Sequence, residues 1–378
     1  MTGNVLLLAP SRGLGGGIER YVSTIEAALD SHDLAYQRID LVGTGRPGGL
    51  RGKLDFIREV HSAVRHGRGP TRLIFAHPNL LPVLRVLNVA GQRRRIAHAA
   101  VILHGIELWA QRRPRGWRLM RRGGVRVITV SNFSAGALVG VCPANVLQPG
   151  VSPTWFQTLV DAADRARPGT DEIHLVTAFR PQDWRDKGLD TLLDAVALLG
   201  DDRVRLTVCG AGPVPADLSA AIAARPRCRF AANLSDAGLA DELAAADLFV
   251  LATRTRFGRD AYGEGFGLVL IEAQLAGTPV VAPAYGGSGD AFQPGLTGLA
   301  PVDESPEALA QVLGALLTDP QRLTDMGHAA ATWSRARFAP AGYATQAVQT
   351  LLGRSARPAR RPGATAEHRA LHSTSARS

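Results

Sequence analysis

The feature that most constrains this 378-residue chain is an alternation of strand-like and helical stretches that runs through it twice. The first series opens with the apolar run Val5-Leu-Leu-Leu-Ala9, a glycine-rich turn over 13–17 and a helical stretch from Ile18 to about Leu29. That is a β-loop-α unit. Leu73–Ala76, Ala99–Leu103 and Val125–Val130 repeat the strand signal with helical stretches between them, and Asp40–Arg51 reads as a Gly/Pro-rich loop. Strands this short and apolar on both faces suit a parallel sheet covered by helices.

The rhythm lapses between Gln148-Pro-Gly150 and Pro168-Gly169, a stretch without strong periodicity where a domain boundary is expected. The second series has strands at His174–Ala178, Val204–Cys209, Arg229–Ala232, Leu248–Ala252 and Pro279–Ala282. Its helices are expected at Leu189–Leu199, Pro215–Ala224, Asp236–Ala245, Gly267–Ala276 and Pro306–Leu317. The expected architecture is α/β: two Rossmann-like, doubly wound parallel-sheet domains facing across a cleft. They would span 1–165 and 166–335, followed by a helix over 336–353 returning to the first domain. The Arg/Ala/Ser/Pro-rich stretch 354–378 has too little apolar surface to fold and is expected to be a disordered basic tail. Two such units bring a ligand to the carboxyl ends of their strands.

Composition narrows the compartment and the partners. Hydrophobic residues at 46% and charged residues at 20% give a globular balance. Cys142, Cys209 and Cys228 are too few and too scattered for a disulfide framework or a cysteine metal site, so a cytoplasmic protein is expected. The opening apolar run lacks a basic lead and a cleavage site, and no run reaches the roughly 18 apolar residues of a membrane span. Net charge is +10, concentrated at Arg93–Arg95, Arg112–Arg126 and the tail. No RNA-binding motif, zinc finger or basic zipper accompanies it, which argues against nucleic acid and leaves anionic small ligands or anionic lipid. The run Trp109–Arg122 mixes tryptophan with arginine, and peripheral contact with an anionic membrane at the inner face of the cell membrane is one expectation from it. A solvated helix with its tryptophans packed inward is the other.

The chemistry lies in Tyr262-Gly-Glu-Gly-Phe-Gly-Leu-Val-Leu-Ile-Glu272. Glu264 sits in the glycine-rich lead-in and Glu272 in the following helix, roughly 12 Å apart at helical rise. That span suits a nucleotide sugar, with one carboxylate on the hexose and the other on the ribose. Free N–H groups over Gly265–Leu268, at a helix N-terminus, provide an anion site between them. Gly265 and Gly267 let the backbone come close to the ligand. A diphosphate leaving group needs positive charge. Arg180 and Lys187 supply it from the loop after the first strand of the second domain. No Asp-x-Asp motif ends a strand, and Asp201-Asp202 belongs to a polar turn, so no metal is expected.

These residues carry a resemblance. Glu264-Gly-Phe-Gly-Leu-Val-Leu-Ile-Glu272-Ala with Arg180 and Lys187-Gly188 resembles the large retaining glycosyltransferase family 4, of GT-B fold. Gly15-Gly-Gly-Ile-Glu-Arg-Tyr21, His104-Gly-Ile-Glu107, Val130-Ser-Asn-Phe133 and Gly210-Ala-Gly212 extend it over roughly residues 4–350. The resemblance implies a retaining, metal-independent hexosyl transfer without a cofactor, the nucleotide-diphosphate sugar being a co-substrate. The acceptor would be a hydroxyl of a glycan, a glycolipid or a small molecule, as in bacterial cell-envelope synthesis. Arg180 and Lys187 would hold the diphosphate, Glu264 the donor sugar beside the backbone of Phe266, Gly267 and Leu268, and Glu272 the ribose. His104 would reach the sugar from the first domain. Gly16 and Gly17 would face phosphate and acceptor, and Gly212 would belong to the donor site. The same resemblance implies that the new bond forms on the face the nucleotide leaves, with a phosphate oxygen taking the acceptor proton.

Three departures from the family pattern stand out: Phe179-Arg-Pro181 around the phosphate arginine, Ala231-Ala-Asn233 in place of a glycine-containing turn, and a long basic loop over 253–262. His104 ends an apolar strand run, where an active-site position is natural. His77, also at a strand end, is the weaker candidate, while Glu107 and Glu19 are expected to orient their neighbours. A sugar-nucleotide epimerase or hydrolase of the same fold remains an alternative, as does a non-catalytic basic lipid-binding module. A nicotinamide-dependent oxidoreductase is disfavoured because neither Gly13–Gly17 nor Gly210–Gly212 carries the third glycine at dinucleotide spacing.

Overall fold

The structure is a computed structural model in which residues 4–13, 15–43, 49–109, 116–122, 124–165 and 171–353 are described. The first sheet contains β1 (Asn4–Ser11), β2 (Tyr36–Val42), β3 (Thr71–Phe75), β4 (Ile96–Leu103), β5 (Arg126–Thr129) and β6 (Ala144–Val146). Its order is β2-β1-β3-β4-β5-β6 and every pairing is parallel. The second contains β7 (Ile173–Ala178), β8 (Val204–Gly210), β9 (Cys228–Ala232), β10 (Leu248–Val250), β11 (Val280–Val281) and β12 (Gly298–Leu299). Its order is β12-β11-β10-β7-β8-β9, again all parallel.

Strand alternation decides which core each side chain enters. Along β1, Val5, Leu7 and Ala9 join one buried cluster while Leu6 and Leu8 join the other, as a strand covered on both faces requires. The first of these clusters does not stop at the domain edge. It runs through Trp155, Leu159 and Ala162 into Leu270, Ile271 and Phe266 of the second domain, with Phe338 and Tyr343 beside them. The order of each sheet reverses once, beside β1 and β3 in the first and beside β7 and β10 in the second. Ligands of doubly wound sheets bind at such reversals. The loops that follow β1, β3, β4, β7, β8 and β10, with the helix Leu268–Leu275, hold the residues singled out above.

Several elements differ from the sequence reading. The supposed loop from Asp40 to Arg51 begins inside β2 and ends inside the helix Gly49–His66. The non-periodic stretch before the boundary contains the helix Pro153–Ala163, whose buried stripe is only Trp155, Leu159 and Ala162. This helix packs on the second-domain helices Asp236–Ala244 and Leu268–Leu275. The two-residue strand β12 was not among the expected strands and owes its assignment to its neighbour, whereas β11 falls within the expected strand Pro279–Ala282. The chain ends with helices Pro320–Arg337 and Pro340–Leu352, and the second of them returns to the first domain. There His98 Nε2 lies 3.0 Å from the Leu351 carbonyl and Arg126 donates to the Thr350 carbonyl. The tail 354–378 lies outside the described residues. Among the described residues no helix is long and apolar enough to cross a membrane.

Candidate functional site

The loop after β1 is folded around one carboxylate. Glu19 accepts from Ser11 Oγ at 2.6 Å, Gly15 N at 2.8 Å and Gly13 N at 3.1 Å, which draws the glycines into a tight turn. Gly16 caps the helix Gly17–Asp30 with φ +95°, a conformation that L side chains rarely adopt. A Cβ there would lie 3.6 Å from Arg180 Cδ, and one on Gly17 would lie 3.7 Å from Leu268 Cδ1. The turn therefore sits directly against the cation loop and the paired-glutamate helix of the other domain. Arg180 itself pairs with Asp183 at 2.7 Å and stays largely exposed.

His104 follows the last residue of β4. Its Nε2 lies 2.7 Å from the Ala76 carbonyl, which fixes the proton on Nε2 and leaves Nδ1 as an acceptor. Burial pushes its pKa below 6.5, against the pull of that carbonyl, so the ring is neutral near pH 7. His77 stacks on it at 5.9 Å and Tyr21 meets it edge-on at 6.1 Å. Glu107 accepts from the His104 N–H and so closes the turn after β4, the orienting role its position suggested.

In the second domain Lys187 and Glu264, 77 residues apart, meet at 2.8 Å. Both are mostly buried, with 19% and 14% of their side chains exposed. Thr253 donates to the same Glu264 oxygen at 3.2 Å, and the Tyr262 ring centre is 5.8 Å from Lys187 Nζ. Burial pulls the Lys187 pKa down, but attraction to Glu264 and Tyr262 and the hydrogen bond outweigh it, and it ends above 10.5. Gly267 takes φ +88° and caps the helix Leu268–Leu275, leaving the free N–H groups of its first turn at the cleft. Phe266 is buried edge-on against Phe338, so only its backbone faces the site. Glu272, about one turn into that helix, is buried and accepts from Trp155 Nε1 at 2.8 Å. Among the described residues no three His, Cys, Asp or Glu side chains gather as a metal-binding group.

The two domains touch along one side of the cleft. A Cβ on Gly265 would fall 1.8 Å from the His104 carbonyl oxygen, so in this structure that glycine admits the other domain's backbone. Asp290 accepts from the Asn132 N–H at 2.6 Å and from its Nδ2 at 3.0 Å, and Gly258 N donates to the Trp109 carbonyl at 3.2 Å. The basic loop over 253–262 is pinned rather than free. Arg254 pairs with Asp190 at 3.1 Å, and Arg256 pairs with Asp186 at 2.5 Å beside the Tyr262 ring.

Gly212 is less central. Its N–H is given to Asn233 Oδ1 at 2.9 Å, which commits that donor to holding the turn after β8. Asn233 itself has φ +51°, so asparagine performs the left-handed turn that glycine was expected to make there. Trp109 is buried against Phe133 and Trp117 is half-buried against the core, so these aromatics face inward. Thr253, Trp155, Asn132, Asp290 and Arg20 were not assigned roles in the sequence reading. Arg20 and Asn132 lay inside quoted motifs, whereas Trp155 gave no local signal.

Residues 162–333 match the family described as Glycosyl transferases group 1. The chain is 35% identical over 225 residues to a D-inositol 3-phosphate glycosyltransferase of Streptomyces avermitilis, covering 54% of this chain and 47% of that one. A D-inositol 3-phosphate glycosyltransferase of Segniliparus rotundus is 33% identical over 264 residues, 65% of this chain and 55% of its own. The chain thus spans about half the length of the curated relatives it matches. Among solved structures, Anabaena Alr3699/HepE in complex with UDP and glucose superposes with TM-score 0.67 at 20% identity, over 93% of this chain and all of that one. WaaG, a glycosyltransferase involved in lipopolysaccharide biosynthesis, gives 0.65 at 17% identity over 91% and 98%. The fold is GT-B, as the resemblance implied.

Proposed function

We propose, from the match of residues 162–333 to the group 1 glycosyl transferases, that the chain transfers a hexosyl group from a nucleotide-diphosphate sugar to a hydroxyl acceptor in the interdomain cleft, with retention of configuration and without a metal. One observation carries it. Lys187 and Glu264 form a 2.8 Å pair beside the N-terminus of Leu268–Leu275, directly across from the Gly16 turn and Arg180. A cation, a helix start and a second cation then surround the diphosphate. Glu264 takes the sugar hydroxyls, and Glu272 takes those of the ribose.

Each group has a defined task in the transfer. His104, neutral and with Nδ1 free to accept, takes a hydrogen bond from a sugar hydroxyl. The acceptor oxygen bonds to the anomeric carbon as the carbon–oxygen bond to the diphosphate breaks on the same face. The departing phosphate oxygen takes the acceptor's proton, while Arg180 and Lys187 stabilise the released charge. The relatives quoted above are named as glycosyltransferases, which supports transfer over the epimerase or hydrolase alternative. HepE was solved with UDP and glucose, so uridine nucleotides are the first donors to test.

The experiment is a thermal-shift panel of nucleoside diphosphates and their sugars with chelator present, followed by NMR of the product anomer. A ligand that binds the native state raises its stability with the logarithm of excess over Kd. Binding of one nucleotide sugar and transfer with retention are expected, whereas a strict divalent-metal requirement or inversion refutes the proposal. Membrane contact is proposed on charge alone, from exposed Arg118, Arg121 and Arg122. Failure to float with anionic liposomes at low salt dismisses it.

A further inference from the structure

Arg20 lies in the first turn of Gly17–Asp30, on the first domain, yet two of its side-chain partners, Asp236 and Glu272, belong to the second domain, and Trp155 lies on the boundary helix Pro153–Ala163 that packs on that domain. Its guanidinium is 2.8 Å from Asp236 Oδ1 and 4.0 Å from Glu272 Oε1, and it lies 4.8 Å from the centre of the Trp155 ring. Trp155 in turn donates to that same Glu272 oxygen at 2.8 Å. The pair with Asp236 contributes little to folding, because 38% of the arginine and 63% of the aspartate side chain is exposed. Glu272 is different, with 6% of its side chain exposed. The cation that approaches it belongs to the opposite domain.

We propose that Arg20 is a donor-positioning residue: it acts through Glu272, so that the grip on the ribose depends on contact between the domains. This inference rests on the reading of Glu272 as the ribose ligand. Trp155 fixes one oxygen of the carboxylate, and Arg20, beside that same oxygen, helps hold the torsion at which the carboxylate accepts from the ribose hydroxyls. When the domains part, Arg20 leaves with the first of them and Glu272 keeps only Trp155. Linkage makes the effect reciprocal, so a ribose bound at Glu272 favours the closed cleft.

The test titrates the full chain, as wild type, Arg20→Ala and Arg20→Lys, with whichever of UDP, GDP and ADP the wild type binds. The 2′,3′-dideoxy analogue of that nucleotide is titrated in parallel. Arg20→Ala is expected to weaken the ribonucleotide about fivefold, and Arg20→Lys to recover part of that loss. The dideoxy analogue is expected to bind wild type and Arg20→Ala equally, because it lacks the hydroxyls that Glu272 would hold. The urea midpoint of Arg20→Ala stays at the wild-type value. Unchanged ribonucleotide affinity in Arg20→Ala overturns the inference, and so does an equal loss for the dideoxy analogue. A wild type that binds none of the three nucleotides brings down the donor-site reading itself, a distinguishable failure.

Discussion

Replacing Gly265 by alanine tests whether the contact between domains belongs to the proposed transfer. A Cβ at this position would sit 1.8 Å from the His104 carbonyl oxygen and 3.1 Å from its carbon, with Val130 Cγ2 at 3.7 Å. All three atoms belong to the first domain, so the second domain can keep its own structure. Real Cβ contacts are essentially never shorter than 3.0 Å, so the domains must separate by about 1.2 Å at this point. His104 and the Gly16 turn move with the first domain, whereas Glu264 and Lys187 do not. Misplacing reacting groups by about 1 Å costs on the order of 10²-fold in rate. Gly265→Ala is therefore expected to lower kcat about 100-fold, with an unfolding midpoint close to wild type. Gly298→Ala is the contrast. Its Cβ would meet the Val280 carbonyl oxygen at 2.4 Å and Val280 Cγ2 at 2.6 Å, both of its own domain, so the loss should appear first in stability. Steady-state kinetics on the cognate donor, with urea unfolding in parallel, decides the matter. Wild-type turnover by Gly265→Ala would show that the closed contact plays no part in transfer, and the reasoning would be refuted.

Other expectations follow from the same geometry. Lys187→Met leaves the Glu264 carboxylate buried with Thr253 alone, and is expected to cost about 2–3 kcal/mol in urea unfolding, less than a fully buried pair because both groups retain some exposure. Adding Glu264→Gln should restore most of that stability but no activity; additive losses would mean that the two side chains are not coupled. Burial holds His77, His98, His104 and His174 below 6.5, so each binds fewer protons folded than unfolded. Their contribution is complete above about pH 6.5 and is lost as pH falls through that value toward the folded pKa. Glu107, raised by burial, pulls the other way, so the measurement is the difference between wild type and His174→Gln in urea midpoints from pH 7.5 to 5.5. A variant with the same slope as wild type contradicts the assignment. Gly314, inside helix Pro306–Leu317, would place a Cβ at an ordinary 3.5 Å from Leu199 Cδ2. Gly314→Ala is thus expected to stabilise by about 0.5–1 kcal/mol, and a lower melting temperature would contradict it.

The paired-glutamate segment was legible because everything that defines it is local: glycines, a helix start and an eight-residue interval in one stretch of chain. The same holds for Arg180 and Lys187, which follow a strand whose apolar run is unmistakable. Helix Pro153–Ala163 was not legible, because three buried residues in eleven leave a weak periodic signal and its apolar face is completed only by the second domain. Strands β6 and β12 are three and two residues long and exist through the ladder beside them. Ala231-Ala-Asn233 stood out as a departure, but that Asn233 itself makes the left-handed turn did not, because at asparagine such a turn has no signature beyond the residue itself.

Sequence by itself determined the two doubly wound sheets, the loops at their carboxyl ends and the residue types that gather there. Burial period and turn chemistry are written within a few residues of each other, and strands and helices follow from them. Only the tertiary structure decided that Lys187 meets Glu264, that Trp155 occupies an oxygen of Glu272 117 residues away, and that Gly265 lies against His104. Those meetings depend on how two separately specified sheets are turned toward each other, and that angle is set by packing among residues distant in the chain, which no local pattern encodes.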